Sequence, residues 1–282
     1  MRLFRSVSNK IKCVFYKTTS KRRKALFDNG KIDNYQYMDE VYTKDKEAYE
    51  WLLHKNSYRK NVWQEYWDSQ EIWSVKNYFP KTFDMAKKLV FEEFLSLYEV
   101  KPDLMDIGCA SGEWSLMVAP YCERVCGYEY SQKMVNTANR EAQKMGVKNV
   151  EFYQAEAATM DLSARYDGGM ILAMLMYIDD KDRIAGILHN VYSHLKPGAF
   201  LCTRDSLNDE GVDVLYLLNK RNGYTAFYWS KDLYYEQFKI AGFEMKKEVI
   251  LEKVTSRQLS FIHVGNIWQK PLLSERKDTV NS

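Results

Sequence analysis

The chain has 282 residues, of which 46% are hydrophobic and 28% charged, enough to bury one large core or two modest ones. No stretch reaches the roughly 18 uncharged apolar residues of a membrane-spanning helix, and no secretory leader is evident, so we expect a cytoplasmic protein. Five cysteines without a C-x-x-C pair or a nearby histidine exclude a disulfide framework and a metal site, and predict buried, reduced thiols.

Basic residues are concentrated at the start of the chain. Residues 1–24 carry nine lysines and arginines and no acid, so with +3 overall the rest of the chain carries −6. Apolar residues recur there at helical spacing: Leu3, Phe4, Val7, Ile11, Val14 and Phe15. Such a helix is typical of segments that lie on an anionic membrane surface, here its inner face, or that bind an acidic protein partner. The alternative is a solvated tail or a helix docked on its own domain. We predict an N-terminal segment over residues 1–34.

Residues 35–95 are predicted to form a cap of two or three helices. The stretch is polar and rich in aromatic residues, with a single proline, Pro80. The aromatic side chains either pack the helices together or line a small-molecule pocket. From this set we take Tyr66 and Tyr78 as candidate substrate contacts.

Residues 96–270 alternate short apolar runs with amphipathic stretches. Strands are predicted at 104–109, 124–129, 150–154, 168–173, 199–204, 244–251 and 258–268, and helices at 113–119, 132–145, 180–195 and 231–241. This alternation predicts an α/β fold with a mostly parallel sheet covered on both faces. Only a few residues separate the last two strands, too few for a crossover helix, so they should pair antiparallel. Residues 271–282 form a tail.

The loop "DIGCASG" follows the first of these strands. A dinucleotide site needs glycine at three positions, which here hold Gly108, Ala110 and Glu113. A carboxylate at the start of the following helix would repel a pyrophosphate. The acid at Asp106 suits a ligand with an ammonium group and no phosphate, such as S-adenosylmethionine. These residues disfavour an oxidoreductase that uses a nicotinamide dinucleotide.

Two further acids follow the next two strands. Glu129 ends the second strand, 21 residues after Gly108, near the interval at which an acid binds the ribose in doubly wound folds. Tyr130 comes next and is expected to lie against the adenine face. Glu156 follows the third strand, where its carboxylate could accept a hydrogen bond from the adenine amino group. Three carboxylates thus match three polar parts of one molecule.

With "YDGGMILAMLMYIDD" at the fourth strand and "LKPGAFL" entering the fifth, residues 81–271 resemble class I, S-adenosylmethionine-dependent methyltransferases of the small-molecule, type 11/12 branch. The resemblance implies a Rossmann-like seven-stranded sheet in the order 3-2-1-4-5-7-6, with strand 7 antiparallel and a helical N-terminal extension. It also implies a set of cofactor contacts: Asp106, Gly108, Ala110, Gly112, Glu129, Tyr130, Glu156, Ala157 and Ala173. S-adenosylhomocysteine would be the product, and an inactive relative is the alternative.

The residue that would accept the proton from an alcohol is less clearly marked. Many family members place a histidine after strand four, but Met176 and Tyr177 stand here. Asp205, just beyond strand five, is the first candidate and Tyr177 the second, with Glu113 as a further one. His189 and His194 fall in a helix, where a structural role is expected.

Residues 207–229 form a long connection beside the carboxyl ends of the strands, where substrates bind in such sheets. Arg204, Lys220 and Arg221 would give this region positive charge, suited to a phosphate or carboxylate on the acceptor. The alternative is a solvated loop. We therefore expect Arg204 and Arg221 to contact substrate.

These observations predict a methyltransferase that acts on a small or glycan acceptor, most directly the oxygen of a sugar or sugar phosphate in a surface polysaccharide. An N-methyltransferase of an amino sugar or other small metabolite is one alternative. An RNA methyltransferase is another, disfavoured because the net acidic body lacks the spread of positive charge that tracks phosphates.

Overall fold

The computed structural model describes residues 42–43, 80–162, 164–219, 225–256 and 259–272. Ten strands are described: β1 Tyr42–Thr43, β2 Asp103–Ile107, β3 Arg124–Glu129, β4 Val150–Gln154, β5 Tyr166–Leu172, β6 Leu195–Asn208, β7 Val214–Asn219, β8 Thr225–Trp229, β9 Glu244–Thr255 and β10 Ser260–Gln269. Seven of them form one sheet in the order β4-β3-β2-β5-β6-β10-β9. Strands β2 to β6 run parallel, and β10 is antiparallel to both of its neighbours. The predicted order and the antiparallel seventh strand are confirmed.

Five α-helices are described: α1 Pro80–Lys88, α2 Glu113–Val118, α3 Gln132–Met145, α4 Lys181–His194 and α5 Lys231–Ile240. Helices α3, α4 and α5 are each capped at their start by a side chain. Ser131 Oγ accepts a hydrogen bond from the Met134 N–H, and Asp180 Oδ1 accepts from the N–H groups of the next turn. After α5, Gly242 takes a left-handed φ of +96°, which favours glycine at a helix end. The helix predictions agree with the structure to within a residue or so at each end.

The sheet is the middle of three layers. One face packs against α4 and α5, through a core that includes Ile107, Leu188 and Trp268. The other face packs against α2, α3 and residues 86–94, where a π-helical turn, Leu89–Phe94, continues α1. Asp106 lies on this second face, at the carboxyl end of the central strand, so the site forms where that helical layer meets the strand ends.

One sequence prediction was wrong in detail. Residues 42–43, expected within a helical cap, form β1, which pairs antiparallel with β7. The predicted connection at 207–229 contains strands: β6 continues to Asn208, and β7 and β8 pair antiparallel. Its apolar residues pack with Met176 and Phe261, so burial by tertiary contacts decides the structure of this stretch.

The four cysteines in the described ranges have buried, free thiols: Cys109, Cys122, Cys126 and Cys202. No described helix is long and apolar enough to cross a bilayer.

Candidate active site

The loop between β2 and α2 is a run of left-handed turns. Gly108, Ala110 and Gly112 have φ values of +72°, +47° and +82°. A Cβ atom on Gly112 would lie 2.6 Å from the Phe152 ring, and one on Gly108 would lie 2.5 Å from the Met174 side chain. Glycine is therefore required at both positions for conformation and for space. Alanine at 110 holds a conformation that L-residues rarely adopt.

Glu129 joins this loop to the start of α3. Its Oε2 accepts a hydrogen bond of 3.0 Å from the Ala110 N–H, and its Oε1 accepts one of 2.9 Å from the Ser131 N–H. The carboxylate is 8% exposed. It therefore fixes the strained alanine of the loop. Its predicted contact with a ribose stays a prediction, as does the stacking of Tyr130, which lies directly beyond β3 outside the pocket lining.

Asp106 is a buried carboxylate at the floor of the site. Ser115 Oγ donates a hydrogen bond of 2.5 Å to its Oδ2. Burial raises the pKa of Asp106 to about 6, and the negative charge of Glu129 acts in the same direction, while the bond from Ser115 acts against it. A carboxylate held in this environment gains most from a ligand that brings a positive charge.

A pocket with a cavity volume of about 50 Å³ lies above Asp106. Its lining comes from the loop, the start of α2, α1 and the ends of β5 and β6: Ala86, Asp106, Gly108, Cys109, Ala110, Ser111, Glu113, Trp114, Leu172, Ala173 and Arg204. Six residues singled out in the sequence thus meet here: Asp106, Gly108, Ala110, Glu113, Ala173 and Arg204. Trp114, whose ring packs on Phe83 with centroids 5.2 Å apart, was not singled out.

Arg204 enters this pocket from β6 and is 5% exposed. Its Nη2 lies 3.4 Å from Nδ1 of His263, and Ser206 Oγ lies 2.8 Å from the same nitrogen. Burial, together with the charge of Arg204, holds the pKa of His263 well below its usual range. Sequence reasoning missed His263, because only the antiparallel register of β10 on β6 brings it opposite Ser206.

Glu156 and Ala157 lie outside the main pocket. The Glu156 carboxylate pairs with Arg183 Nη2 at 3.2 Å, and it lines a second depression along β3 and β4 with Tyr128 and Tyr153. The carbonyl of Ala157 accepts a hydrogen bond from Asn190. An adenine contact at Glu156 would compete with this ion pair, and that contact stays a prediction.

The first two candidate proton acceptors, Asp205 and Tyr177, do not line the pocket either. Asp205 Oδ1 accepts from the Met176 N–H at 3.1 Å, and its Oδ2 accepts from the Tyr234 hydroxyl at 2.8 Å. Burial raises the pKa of Asp205 to about 7. The Tyr177 side chain packs with the β7–β8 hairpin. The geometry of Asp205 is that of a carboxylate joining the β5–α4 connection to α5, and its catalytic role stays a prediction.

The remaining predicted contacts fall outside the described residues. These are Tyr66, Tyr78 and Arg221, together with Lys220 and the basic segment 1–24. The cap is described only from Pro80 onward, apart from β1. Among the described residues, the pocket lining outside β2 and the loop that follows it consists of Ala86, Glu113, Trp114, Leu172, Ala173 and Arg204.

Residues 104–198 match a family model described as a methyltransferase domain. Among curated proteins, the chain is 26% identical over 94 residues to nodulation protein S of Azorhizobium caulinodans, covering 33% of this chain and 44% of that protein. It is 31% identical over 98 residues to the 23S rRNA (uracil(1939)-C(5))-methyltransferase RlmD of Psychromonas ingrahamii, covering 34% of this chain and 22% of that protein. The chain thus spans less than half the length of these relatives.

Solved structures share the fold. The N-methyltransferase NodS of Bradyrhizobium japonicum in complex with S-adenosylhomocysteine aligns over 74% of this chain and 96% of its own, with a TM-score of 0.56 and 15% identity. A SAM-dependent methyltransferase of Methanosarcina mazei aligns over 65% of this chain and 97% of its own, with a TM-score of 0.55 and 19% identity.

The residues of the pocket fit S-adenosylmethionine. The buried carboxylate of Asp106 complements an α-ammonium group, and the backbone of the loop from Gly108 to Ser111 lines the pocket beside it. Glu129 stands at the end of β3, where acids bind ribose hydroxyls in doubly wound sheets. Residues 104–198 therefore match a methyltransferase domain, and the described residues share the fold of solved S-adenosylmethionine-dependent methyltransferases.

Proposed function

We propose that this protein transfers a methyl group from S-adenosylmethionine to a hydroxyl oxygen of a small or glycan acceptor, a sugar or sugar phosphate of a surface polysaccharide. The observation that carries methyl transfer is the pocket in which Asp106 and the strained loop of Gly108 and Gly112 converge. The acceptor part of the proposal rests on the sequence: basic residues near the strand ends and aromatic residues in the cap, which suit the apolar faces of sugars.

The bound donor supplies an activated methyl group, so the protein mainly has to hold the two reactants in line and exclude water. Asp106 would hold the ammonium end, while Ala86, Trp114 and Leu172 wall the pocket with apolar surface. An alcohol also has to lose its proton. Among the three candidate acceptors of that proton, Glu113 lines the pocket, whereas Asp205 and Tyr177 would act from beside it.

N-methylation of an amino sugar is the second candidate. One observation favours it: nodulation protein S of Azorhizobium caulinodans matches this chain in sequence, and the N-methyltransferase NodS of Bradyrhizobium japonicum matches it in fold. An amine acceptor only has to arrive neutral, which agrees with the absence of Asp205 and Tyr177 from the described pocket lining. RNA methylation is the third candidate, and its support is limited to similarity to rRNA methyltransferases over about a third of this chain.

The acceptor is tested by incubating the purified full chain with S-adenosylmethionine labelled in the methyl group and three acceptor fractions: surface polysaccharide, free amino sugars and total RNA. Mass spectrometry of the hydrolysed products locates the label. We expect O-methylated sugar from the polysaccharide fraction. Label on the nitrogen of an amino sugar, or in RNA, would overturn the proposed acceptor, and transfer to none of the fractions would do the same. The matched control is Asp106→Asn, which has nearly the same shape and no charge.

Residues 1–24 are proposed to hold the enzyme at an anionic membrane surface, with an acidic protein partner as the alternative. Sedimentation with vesicles of phosphatidylglycerol and phosphatidylcholine tests this proposal. We expect the full chain to sediment and a chain lacking residues 1–24 to stay in solution, with the difference disappearing at high salt. Equal, weak binding of both chains would overturn the membrane proposal.

A further inference from the structure

Arg204, Ser206 and His263 form a buried polar cluster on the sheet face that carries the pocket. Ser206 is paired with His263 across β6 and β10, and Arg204 is paired with Gly265. Nη2 of Arg204 and Oγ of Ser206 lie 3.4 and 2.8 Å from Nδ1 of His263. A guanidinium can only donate, so Nδ1 is the acceptor of that contact and the neutral ring carries its proton on Nε2. His263 is thus a neutral ring that orients a guanidinium.

The neutrality of His263 is favoured by its surroundings. The ring is 1% exposed, and both burial and the charge of Arg204 lower its pKa. A protonated ring would repel the guanidinium and lose the acceptor nitrogen. The cluster therefore keeps one positive charge, that of Arg204, at a fixed place.

Asp106 and Arg204 line the same pocket from two different strands. Asp106 is paired with Met170 of β5, and Arg204 is paired with Leu172, two residues further along. With strands about 4.8 Å apart and about 3.3 Å per residue, the two Cα atoms lie roughly 12 Å apart. The Arg204 guanidinium extends toward His263 of β10, and Asp106 and Arg204 both line the pocket. A ligand in this pocket can therefore meet one negative and one positive group, as an amino-acid zwitterion requires.

We propose that Arg204 binds the α-carboxylate of the donor's amino-acid end, opposite the α-ammonium at Asp106, with His263 as the residue that positions the guanidinium. The inference rests on the proposed use of S-adenosylmethionine. The sequence analysis expected Arg204 to contact the acceptor, whereas this inference assigns it to the methyl donor. A guanidinium suits this task because it binds a carboxylate through two parallel hydrogen bonds.

Isothermal titration calorimetry tests the assignment with two probes, S-adenosylhomocysteine and its decarboxylated analogue, which lacks only the α-carboxylate. We expect the wild-type chain to bind S-adenosylhomocysteine at least about tenfold more tightly than the decarboxylated analogue. This ratio corresponds to the free energy of one hydrogen-bonded pair of charged groups. In Arg204→Met this preference should fall to within about twofold, because the affinity for S-adenosylhomocysteine falls while that for the analogue does not.

Variants of His263 separate positioning from folding. In His263→Asn the amide oxygen stands near the place of Nδ1, and we expect most of the preference for the carboxylate to be retained. In His263→Leu the acceptor is lost, and the preference should shrink although a thermal melt shows a folded protein. Arg204→Lys keeps the charge and serves as a second variant, expected to retain a reduced preference if Arg204→Met does not fold.

Each outcome supports or overturns the inference. An unchanged preference in folded Arg204→Met would overturn it and leave the proposed function standing. An equal loss of affinity for S-adenosylhomocysteine and for its decarboxylated analogue would also overturn the inference, because it would indicate a general effect on the pocket. Failure of the wild-type chain to bind S-adenosylhomocysteine at all would instead overturn the proposed function.

Discussion

Replacing Asp106 by asparagine should stabilise the protein and weaken its binding of S-adenosylhomocysteine at the same time. The pKa of Asp106 is about 6 against an ordinary 3.8, mainly because of burial. One pKa unit corresponds to about 1.4 kcal/mol, so the ionised carboxylate opposes folding by about 3 kcal/mol at neutral pH. Asparagine keeps an oxygen for the Ser115 hydroxyl and removes the charge. We expect a rise of at least about 2 °C in Tm for a protein of this size.

The same change removes the partner of the ligand's ammonium group. A hydrogen bond to a charged group contributes about 1.5–3 kcal/mol, so the affinity for S-adenosylhomocysteine should fall roughly ten- to hundredfold. Differential scanning calorimetry measures the Tm, and isothermal titration calorimetry measures the affinity, on the same two proteins.

The dependence on pH gives an internal control. Because the pKa of Asp106 is raised in the folded state, its ionised carboxylate destabilises the fold fully above about pH 6. This destabilisation disappears as the pH falls toward about 4. The Tm difference between the variant and the wild type should shrink over that range, and the wild-type affinity should fall below about pH 6 while that of the variant stays flat. A lower Tm for Asp106→Asn at neutral pH would refute the reasoning, since it would mean that the charge is satisfied inside the protein.

Three other substitutions, with Gly186→Ala as a control for the first, test the loop, the core and the first candidate proton acceptor. Gly112→Ala should lower the free energy of unfolding by about 1–3 kcal/mol in a thermal melt, because φ is +82° and the new Cβ would lie 2.6 Å from the Phe152 ring of β4. As its control, Gly186→Ala places a methyl group in open space within α4. It should raise the free energy of unfolding by about 0.5–1 kcal/mol. Phe238→Ala should cost about 3–5 kcal/mol in urea unfolding, since its ring stacks on Trp268 with centroids 4.1 Å apart, and a cost below about 1 kcal/mol would contradict this packing. Asp205→Asn should reduce methyl transfer less than tenfold, whereas a loss of about a hundredfold or more would identify it as the proton acceptor.

The sequence predicted the elements whose ends are marked by local chemistry. Helix α3 agrees residue for residue, because Ser131 caps its start and Gly146 takes a left-handed φ of +68° at its end. The antiparallel pairing of β9 and β10 followed from a connection too short for a helix. Where a short connection or a cap decides the structure, the sequence alone was enough.

Other features depend on contacts between distant residues, and these could not be predicted. Glu156 forms an ion pair with Arg183, 27 residues further along the chain. The Glu129 carboxylate accepts hydrogen bonds from backbone N–H groups in two different loops. Backbone donors of this kind cannot be recognised from residue types. The place of His263 opposite Ser206 needs the register of two strands more than fifty residues apart. Such positions are decided by packing, for which single-residue patterns carry no signal.

Strand β6 continues beyond its parallel neighbour. Its pairing with β5 ends at Arg204, while residues up to Asn208 pair with β10 alone, and Asn208 Nδ2 donates to the carbonyl of Tyr228 in the hairpin. The contacts expected to the methyl donor come mainly from residues 104–130, whereas the proposed acceptor contacts fall in the stretch 205–229, which the structure describes at 205–219 and 225–229. Exchange of the second stretch between relatives should change which molecule is methylated while the affinity for S-adenosylhomocysteine stays the same. Relatives could then share one sheet and one donor site and differ in residues 205–229 according to the acceptor.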